Sequence, residues 1–552
     1  MFKLNEGHAE QDLYPVRYEM NRELRESLNE SWAGIFYQKV FAKIDERKFS
    51  GLYDPRLGRS NFPVNILAGL EILKELYSLT DEQLIARYRY DLSFRYALGL
   101  EDINTQQMAV RTLYYFRAAV AENQEGLFDQ IFDEFRDLLI EEIGIKTGIQ
   151  RTDSVMIGAN IKRLNRVMLF HKVLSNLAKD VVDAGFALSE RCEEFLEQNE
   201  DGFSYRLKKE NYESKTVEIG EKIYRLIMEN AFHNKVRKQK SFRQAMRLLR
   251  EQCRVEKEGG ILLKPPQEIK AASMQSPVDE DATYREKRGK KYVGYKVNAV
   301  ETCDPENPMQ VITSIETVSN NIDDGDLFCR QLSELKKETN INTAICDGGY
   351  NSEALRKESG EEVQMVMSAI RGVDIEDLKN KAKLSEYIDP ETGKYGMCPA
   401  GEIPNSIGNK EDGSVVLNFD VKRCEVCDWK ERCLACVSKN QSRLVIDAKR
   451  KWMDEFLELI GTDAGKFLMG LRPAVEGLMS LLKPKYLSGR ILFRGLVKVR
   501  NRIFLKGIGV NFKRYRSYLI EKSKVTAVMA YDLLTFLLVQ LKFCFETHFA
   551  RV

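Results

Sequence analysis

Almost no net charge is left over in this chain: 85 lysines and arginines against 83 acids give +2 over 552 residues. Bulk charge therefore selects no polyanionic partner, and only its distribution can be informative. A leader of secretory type is also missing, because Met1 to Tyr18 is polar and acidic where an apolar centre would be needed. Nor is there a clean membrane-length apolar run. The most apolar stretch, Val525 to Phe545, carries Asp532, Gln540 and Lys542, which fits a buried helix. Eleven cysteines spread over such a length do not make a disulfide scaffold. No internal repeat and no low-complexity tract is present. These absences lead to the expectation of a cytoplasmic, prokaryotic protein of several domains.

What is present divides the chain by texture. Residues 1–145 read as short helices. Pro63 opens an apolar-periodic run ending near Tyr77, Thr80-Asp81-Glu82-Gln83 is a capping box, and Asn104-Thr105 caps a helix through about Val120. Such a bundle suits DNA binding, and equally a helical scaffold or a dimerisation unit. Ile149–Ile157 is strand-like and is followed by a charged helical stretch over roughly 160–255. Strands return at Tyr292–Thr302 and Gln310–Val318. Next come a helix over Asp323–Thr339, a strand at Asn342–Cys346, a short helix from Asn351 and a strand at Val363–Ile370. Residues 371–465 read as loop-rich and hold a cluster of cysteines, and a helix begins near Pro473. With the two long inserts removed, this order predicts a multidomain α/β chain with an RNase H-like catalytic core, a mixed sheet flanked by helices. The core would span 146–160, 285–370 and 466–515. The rest would be an all-α N-terminal domain (1–145), a helical insertion (161–284), a cysteine-rich insertion (371–465) and a C-terminal helix (516–552).

Three acids are candidates for a shared metal centre, since a few carboxylates from separate elements suffice to hold divalent cations. Asp153 is the only acid between Glu142 and Asp180 and sits inside a strand-like run. Asp347 ends the apolar run Thr343–Cys346, where open α/β sheets place ligands, and Gly348-Gly349 allows a sharp turn. A plain Asp-Gly turn would look the same. Glu476 has Arg472 and Lys483 at helical spacing, which would bring all three to one face, as an ordinary solvated face also would.

Taken in order, these segments resemble bacterial insertion-sequence transposases of the DDE class, in the branch with a Tyr-x2-Arg-x3-Glu-x6-Lys signature. Arg472, Glu476 and Lys483 match its last three positions, while Met469 stands at the tyrosine position. Arg151-Thr-Asp-Ser-Val-Met-Ile is similar to the family's first-aspartate strand and Ile345-Cys-Asp-Gly-Gly-Tyr-Asn-Ser352 to its second. Gly289–Lys296 and Phe493–Arg500 resemble further family segments, and Tyr53-Asp-Pro-Arg56 its N-terminal domain. The resemblance implies a catalytic triad of Asp153, Asp347 and Glu476 holding two Mg2+ (or Mn2+) ions. It also implies cleavage of element ends, joining to target DNA, action as at least a homodimer and association with the nucleoid. A nuclease on the same fold without transposition, or a catalytically dead DNA-binding derivative, are the alternatives.

Residues 483–516 hold eleven Lys or Arg and no acid, and residues 221–254 hold ten against three. One-signed blocks suit phosphate contact, with Arg472, Lys483, Arg494, Lys498 and Arg500 as candidates. Gln106, Gln107, Arg111 and Arg117 are side chains able to reach base edges for end recognition. The cysteines in Cys424-x2-Cys427-x5-Cys433-x2-Cys436, with Cys398 upstream, predict a structural Zn2+ site, with an iron–sulfur cluster or free thiols as the alternatives. Either the four clustered residues or Cys398 with Cys424, Cys427 and Cys433 would supply the ligands.

Overall fold

The computed structural model describes residues 1–5, 21–100, 107–123, 126–188, 192–193, 203, 205, 207–256, 260–287, 289–370, 374–485 and 489–549, with side chains to residue 524. The N-terminal helices start where small polar residues cap them. Asn21, Ser31 and Thr80 each accept a backbone N–H of the first turn, and Thr80 and Gln83 form the reciprocal capping box expected from the sequence. Val64–Tyr77 is buried along nearly its whole length and ends at Ser78, whose φ of 54° turns the chain out of the helix. Helices Asp81–Tyr90, Leu92–Ala97 and Val110–Asn123 follow. The Asn104-Thr105 cap and Gln106 lie outside the described residues.

Among the described residues the strands that follow are, in chain order, β1 Ile149–Gly158, β2 Cys253–Val255, β3 Ile261–Leu263, β4 Thr283–Lys287, β5 Lys290–Thr302, β6 Ile312–Ser319, β7 Thr343–Cys346, β8 Gln364–Met367, β9 Ser406–Asn409, β10 Val415–Phe419, β11 Cys436–Val437 and β12 Ser442–Ile446. The main sheet is mixed. β5 lies antiparallel between β1 on one side and β6 and β4 on the other, while β1, β7 and β8 run parallel. Helices cover both faces. One face packs Val155, Ile157, Tyr295, Val297, Ala299 and Ile315 against the N-terminal helices, helix Val475–Leu482 and the last helix. The other packs Val300, Ala344 and Cys346 against helices Asp324–Glu338 and Ala448–Gly461.

The N-terminal helices are thus built into the core of the sheet. Ion pairs fasten them: Glu71, nearly fully buried, meets both Arg117 and Arg502, and Lys74 meets Asp81 at 2.9 Å. Arg502 belongs to a single helix, Leu496–Phe549, that starts inside the basic block and runs between the sheet and the N-terminal helices. The C-terminal helix expected from residue 516 therefore begins twenty residues earlier. Much of the basic block is structural. Arg502 and Lys506 are buried, burial lowers the Lys506 pKa to about 8, and Arg514 pairs with Glu301.

Two further units carry cores of their own. Helices Arg166–Asp183, Tyr212–Asn230 and Lys240–Gln252 pack together around Phe170, Leu174, Ile223 and Leu248, with β2 and β3 as a small hairpin. The stretch read from sequence as loop contains a four-stranded antiparallel sheet in the order β11-β12-β10-β9, with Leu417, Phe419, Leu444, Ile446 and Tyr387 inside. Its strands are two to five residues long, too short for periodicity to stand out. Residues 448–461, expected in the same loop region, form a helix on the main sheet. Among the described residues no helix is long and apolar enough to cross a membrane.

Candidate active site

β1 and β7 pair in parallel with Ile149 opposite Thr343, Gln150 opposite Ala344 and Arg151 opposite Ile345. Continuing that offset sets Asp153 beside Asp347, on the same side of the sheet by the two-residue period of strands. Their side chains reach one cation: Arg472 Nη2 lies 3.9 Å from Asp153 Oδ2 and 3.8 Å from Asp347 Oδ2. Backbone N–H groups fix the second oxygens, with Ser154 N donating to Asp153 Oδ1 at 2.7 Å and Gly348 N to Asp347 Oδ1 at 2.8 Å. Ser368, just past β8, adds its hydroxyl to Asp347 Oδ1 at 3.2 Å. Gly348 is required there, because a Cβ would lie 2.4 Å from the Ala369 carbonyl oxygen.

Burial raises the Asp153 pKa above the usual carboxylate range and the neighbouring Asp347 charge adds to this, while the Ser154 N–H, Arg472 and Lys287 work against it. Two carboxylates this close, one poorly hydrated, stabilise any cation that enters between them.

Arg472 is placed from below. Arg151, two residues before Asp153, donates Nη1 to the Leu471 carbonyl oxygen at 2.6 Å. The same guanidinium binds Glu301, directly opposite on β5, through Nε at 2.8 Å. Glu301 is fully buried and takes Arg514 of the long helix on its other oxygen at 2.6 Å. This Arg151–Glu301–Arg514 bracket joins the Asp153 strand, β5, the Leu471-Arg472 junction and the long helix. Sequence inspection missed it because its members are 150 and 213 residues apart.

Glu476 is exposed on helix Val475–Leu482, whose inner face (Val475, Leu478, Met479, Leu482) is buried and which packs on β1. Arg472 lies in the turn before this helix and Lys483 is the cap that follows it. Pro473 stands in a 3-10 turn, Arg472–Ala474, that leads straight into the helix, with Leu471, Arg472, Ala474 and Val475 all in right-handed helical conformation. Lys483 precedes Pro484, which drives it out of the helix into an extended conformation. Among the described residues no three Asp, Glu, Cys or His side chains stand close enough together to hold a metal ion. Glu476 is accordingly not gathered with the two aspartates, nor are the cysteines drawn into ligand geometry.

Four cysteines, 398, 424, 427 and 433, line a cavity of about 180 Å³ in the small sheet unit. Cys436 lies on β11, exposed and outside that lining. Burial raises the Cys424 thiol pKa, partly offset by Ser442, and Cys433, Cys398 and Cys427 raise it further.

The remaining candidates separate. Arg117 is withdrawn from the surface role expected of it. Its guanidinium binds Asp81 with both terminal nitrogens, at 2.9 and 2.6 Å, and Glu71 through Nε at 2.9 Å. Arg111 and Gln107 are exposed, as are Tyr114 and Tyr115 on the same helix, which sequence inspection passed over. Arg500 pairs with Asp129 at 3.0 Å, and Arg494 donates to the Asn160 carbonyl oxygen at 2.9 Å. Lys498 is exposed.

Residues 397–516 match the family described as a transposase DDE domain, and residues 23–119 match a second described as a transposase domain, DUF772. Together the two matches support an insertion-sequence DDE transposase. The DDE match takes in Glu476, Arg472, the cysteine unit and the start of the long helix, while Asp153 and Asp347 precede it. No curated protein matches the chain.

Proposed function

We propose that the transposase uses Asp153, Asp347 and Glu476 as the acidic triad of an RNase H-like core, cutting element ends to expose 3′-hydroxyls and joining these to target DNA. The single observation that carries this is the pair of aspartates abreast on adjacent parallel strands, sharing one cation. That donor set suits Mg2+ or Mn2+, which take hard oxygen ligands and keep several waters. When bound, such ions activate the attacking oxygen and stabilise the leaving one. The chain's own contribution is to hold both carboxylates by backbone N–H groups and to aim Arg472 where phosphate charge gathers. Glu476 would complete the triad from the helix that packs on the Asp153 strand. The strand order β6-β5-β1-β7-β8, with only β5 antiparallel to its neighbours, supports the RNase H-like assignment. Holding two ends together calls for at least two copies of the chain.

The test is purified full-length protein with labelled DNA carrying the element's ends and Mg2+. End-specific nicks that become joined to target DNA support the reading. Nicking without joining points to a nuclease, and binding without nicking to an inactive derivative.

End recognition falls to the exposed face of helix Val110–Asn123 in this reading. Arg111→Ala in the full chain is expected to lower affinity for end DNA about 10-fold, the scale of one bidentate base contact, with little change for scrambled DNA. Equal losses on both DNAs would make Arg111 a phosphate contact instead.

A structural Zn2+ held by Cys398, Cys424, Cys427 and Cys433 is the second part of the reading, and their common cavity supports this set over the one containing Cys436. Metal analysis is expected to give about one zinc per chain. Cys427→Ser should abolish it and Cys436→Ser should leave it. Loss with Cys436→Ser but not with Cys398→Ser would reverse the choice of ligands.

A further inference from the structure

Beyond Asp153 the strand β1 runs to Gly158, and there its end forms one wall of a groove of about 600 Å³. The second wall is the start of β5, with Lys290, Lys291 and Tyr292. The third is the segment carrying Lys483, Gly489 and Arg490, and Arg163 closes the floor. The lining contains five cations and no carboxylate. Among the described residues none of the five forms an ion pair, whereas Arg500, Arg502 and Arg514 of the same basic block are each taken by an acid. The nearest acid along the chain, Glu286, stands opposite Lys291 across the hairpin but is outside the lining and accepts the Tyr284 hydroxyl at 2.8 Å.

The walls are held by hydrogen bonds to backbone carbonyls rather than by ion pairs. Ile491 N donates to the Gly158 carbonyl oxygen at 2.9 Å, and Arg163 Nη2 to the Lys291 carbonyl oxygen at 3.2 Å. Gly294 has a φ of 151°, and a Cβ there would lie 2.2 Å from the Ile157 carbonyl oxygen, so only glycine lets β5 meet β1 so tightly at this end. The cations therefore keep their charge for something outside the chain. A solvated face would mix both signs.

We infer that this groove seats the DNA backbone flanking the scissile phosphate, with Lys290, Lys291, Arg163 and Arg490 as phosphate contacts beside Lys483. Met156 and Gly158 are three and five residues beyond Asp153, or roughly 10–16 Å along the strand. At one phosphate per about 3.4 Å of helix axis on each strand, that is the reach of roughly three to five nucleotides. The inference rests on the assignment of Asp153 to the chemistry. It adds a surface whose contribution is affinity rather than turnover, since none of its cations touches the aspartates. Only the Lys-Lys doublet hinted at it in the sequence, where it reads as the opening of a strand.

Binding is measured with duplex DNA in EDTA, by fluorescence anisotropy over a range of salt, on the full chain. Lys290→Ala/Lys291→Ala/Arg490→Ala is expected to weaken binding on the order of 10²-fold at 0.1 M salt. It should also reduce the slope of log affinity against log salt by about 2–3, near 0.9 for each phosphate that is no longer neutralised. Both changes should be alike for end and scrambled DNA, and Lys290→Arg/Lys291→Arg should bind as wild type does. An unchanged salt slope in the triple alanine variant, with thermal melting as in wild type, overturns the inference. So does a loss confined to one sequence. If the slope falls as expected but wild type fails to nick DNA in Mg2+, the groove stands and the catalytic assignment fails. If wild type nicks and the slope is unmoved, the reverse holds.

Discussion

Asp153→Asn, Asp347→Asn and Glu476→Gln should each lower nicking and joining on the order of 10³-fold or more, while leaving folding and DNA binding near those of wild type. Each change keeps side-chain volume and removes one negative charge, so the deficit falls on the cation centre alone. Asp153 and Asp347 already act as a pair, sharing Arg472 at 3.9 and 3.8 Å. Losing either leaves one carboxylate facing the incoming cations. The three losses should not add in combination, because residues that work as a unit fail together. The decisive comparison is among the acids near the third position. Glu476 lies on a helix packed against β1, whereas Glu458 and Asp463 sit on neighbouring helices that precede Arg472. If Glu476→Gln cleaves normally and Glu458→Gln or Asp463→Asn does not, the third ligand is reassigned and the two aspartates keep their place.

Removing the acid at the centre of the bracket should have the largest effect on stability. Glu301 is fully buried and binds two guanidiniums, Arg151 and Arg514. Glu301→Ala would strand both in a poorly hydrated interior, a loss of roughly 3–5 kcal/mol for a broken buried ion pair. Urea unfolding reads this directly, and a change within about 1 kcal/mol of wild type would show the bracket to be dispensable. Arg151→Ala separates positioning from bulk stability. It frees the Leu471 carbonyl, and with it the Arg472 junction, from β1. Turnover at saturating DNA should fall while KM for DNA holds, and Arg151→Lys should recover only part, since a lysine cannot grip Glu301 and the carbonyl through one planar fork.

Local chemistry of the chain was enough to fix the longer elements, but not the short strands of the cysteine unit or the helix Ala448–Gly461. Thr80 and Gln83 announced their helix, the β-branched runs announced β1, β5 and β6, and Asp347 was placed at a strand end because an apolar run stops there. The family resemblance, written in short motifs, needed only their order, and the two domain matches agree with it. What the tertiary structure decided is which charges are free. Arg111 and Arg117 look alike in sequence, yet one is exposed and the other is bound by acids 36 and 46 residues away. The basic block looks uniform, yet Glu71, Asp129 and Glu301 consume Arg502, Arg500 and Arg514 and, among the described residues, leave the groove cations without an acid. Helical spacing predicted Arg472, Glu476 and Lys483 on one helix, but Arg472 lies in a 3-10 turn before the helix of Glu476 and Lys483 leaves it ahead of Pro484. The physical reason is common to all three. Propensity, capping and periodicity act over a few residues and are legible in order along the chain. The state of a charged side chain is set by which distant acid, carbonyl or solvent the folded chain brings within about 4 Å of it.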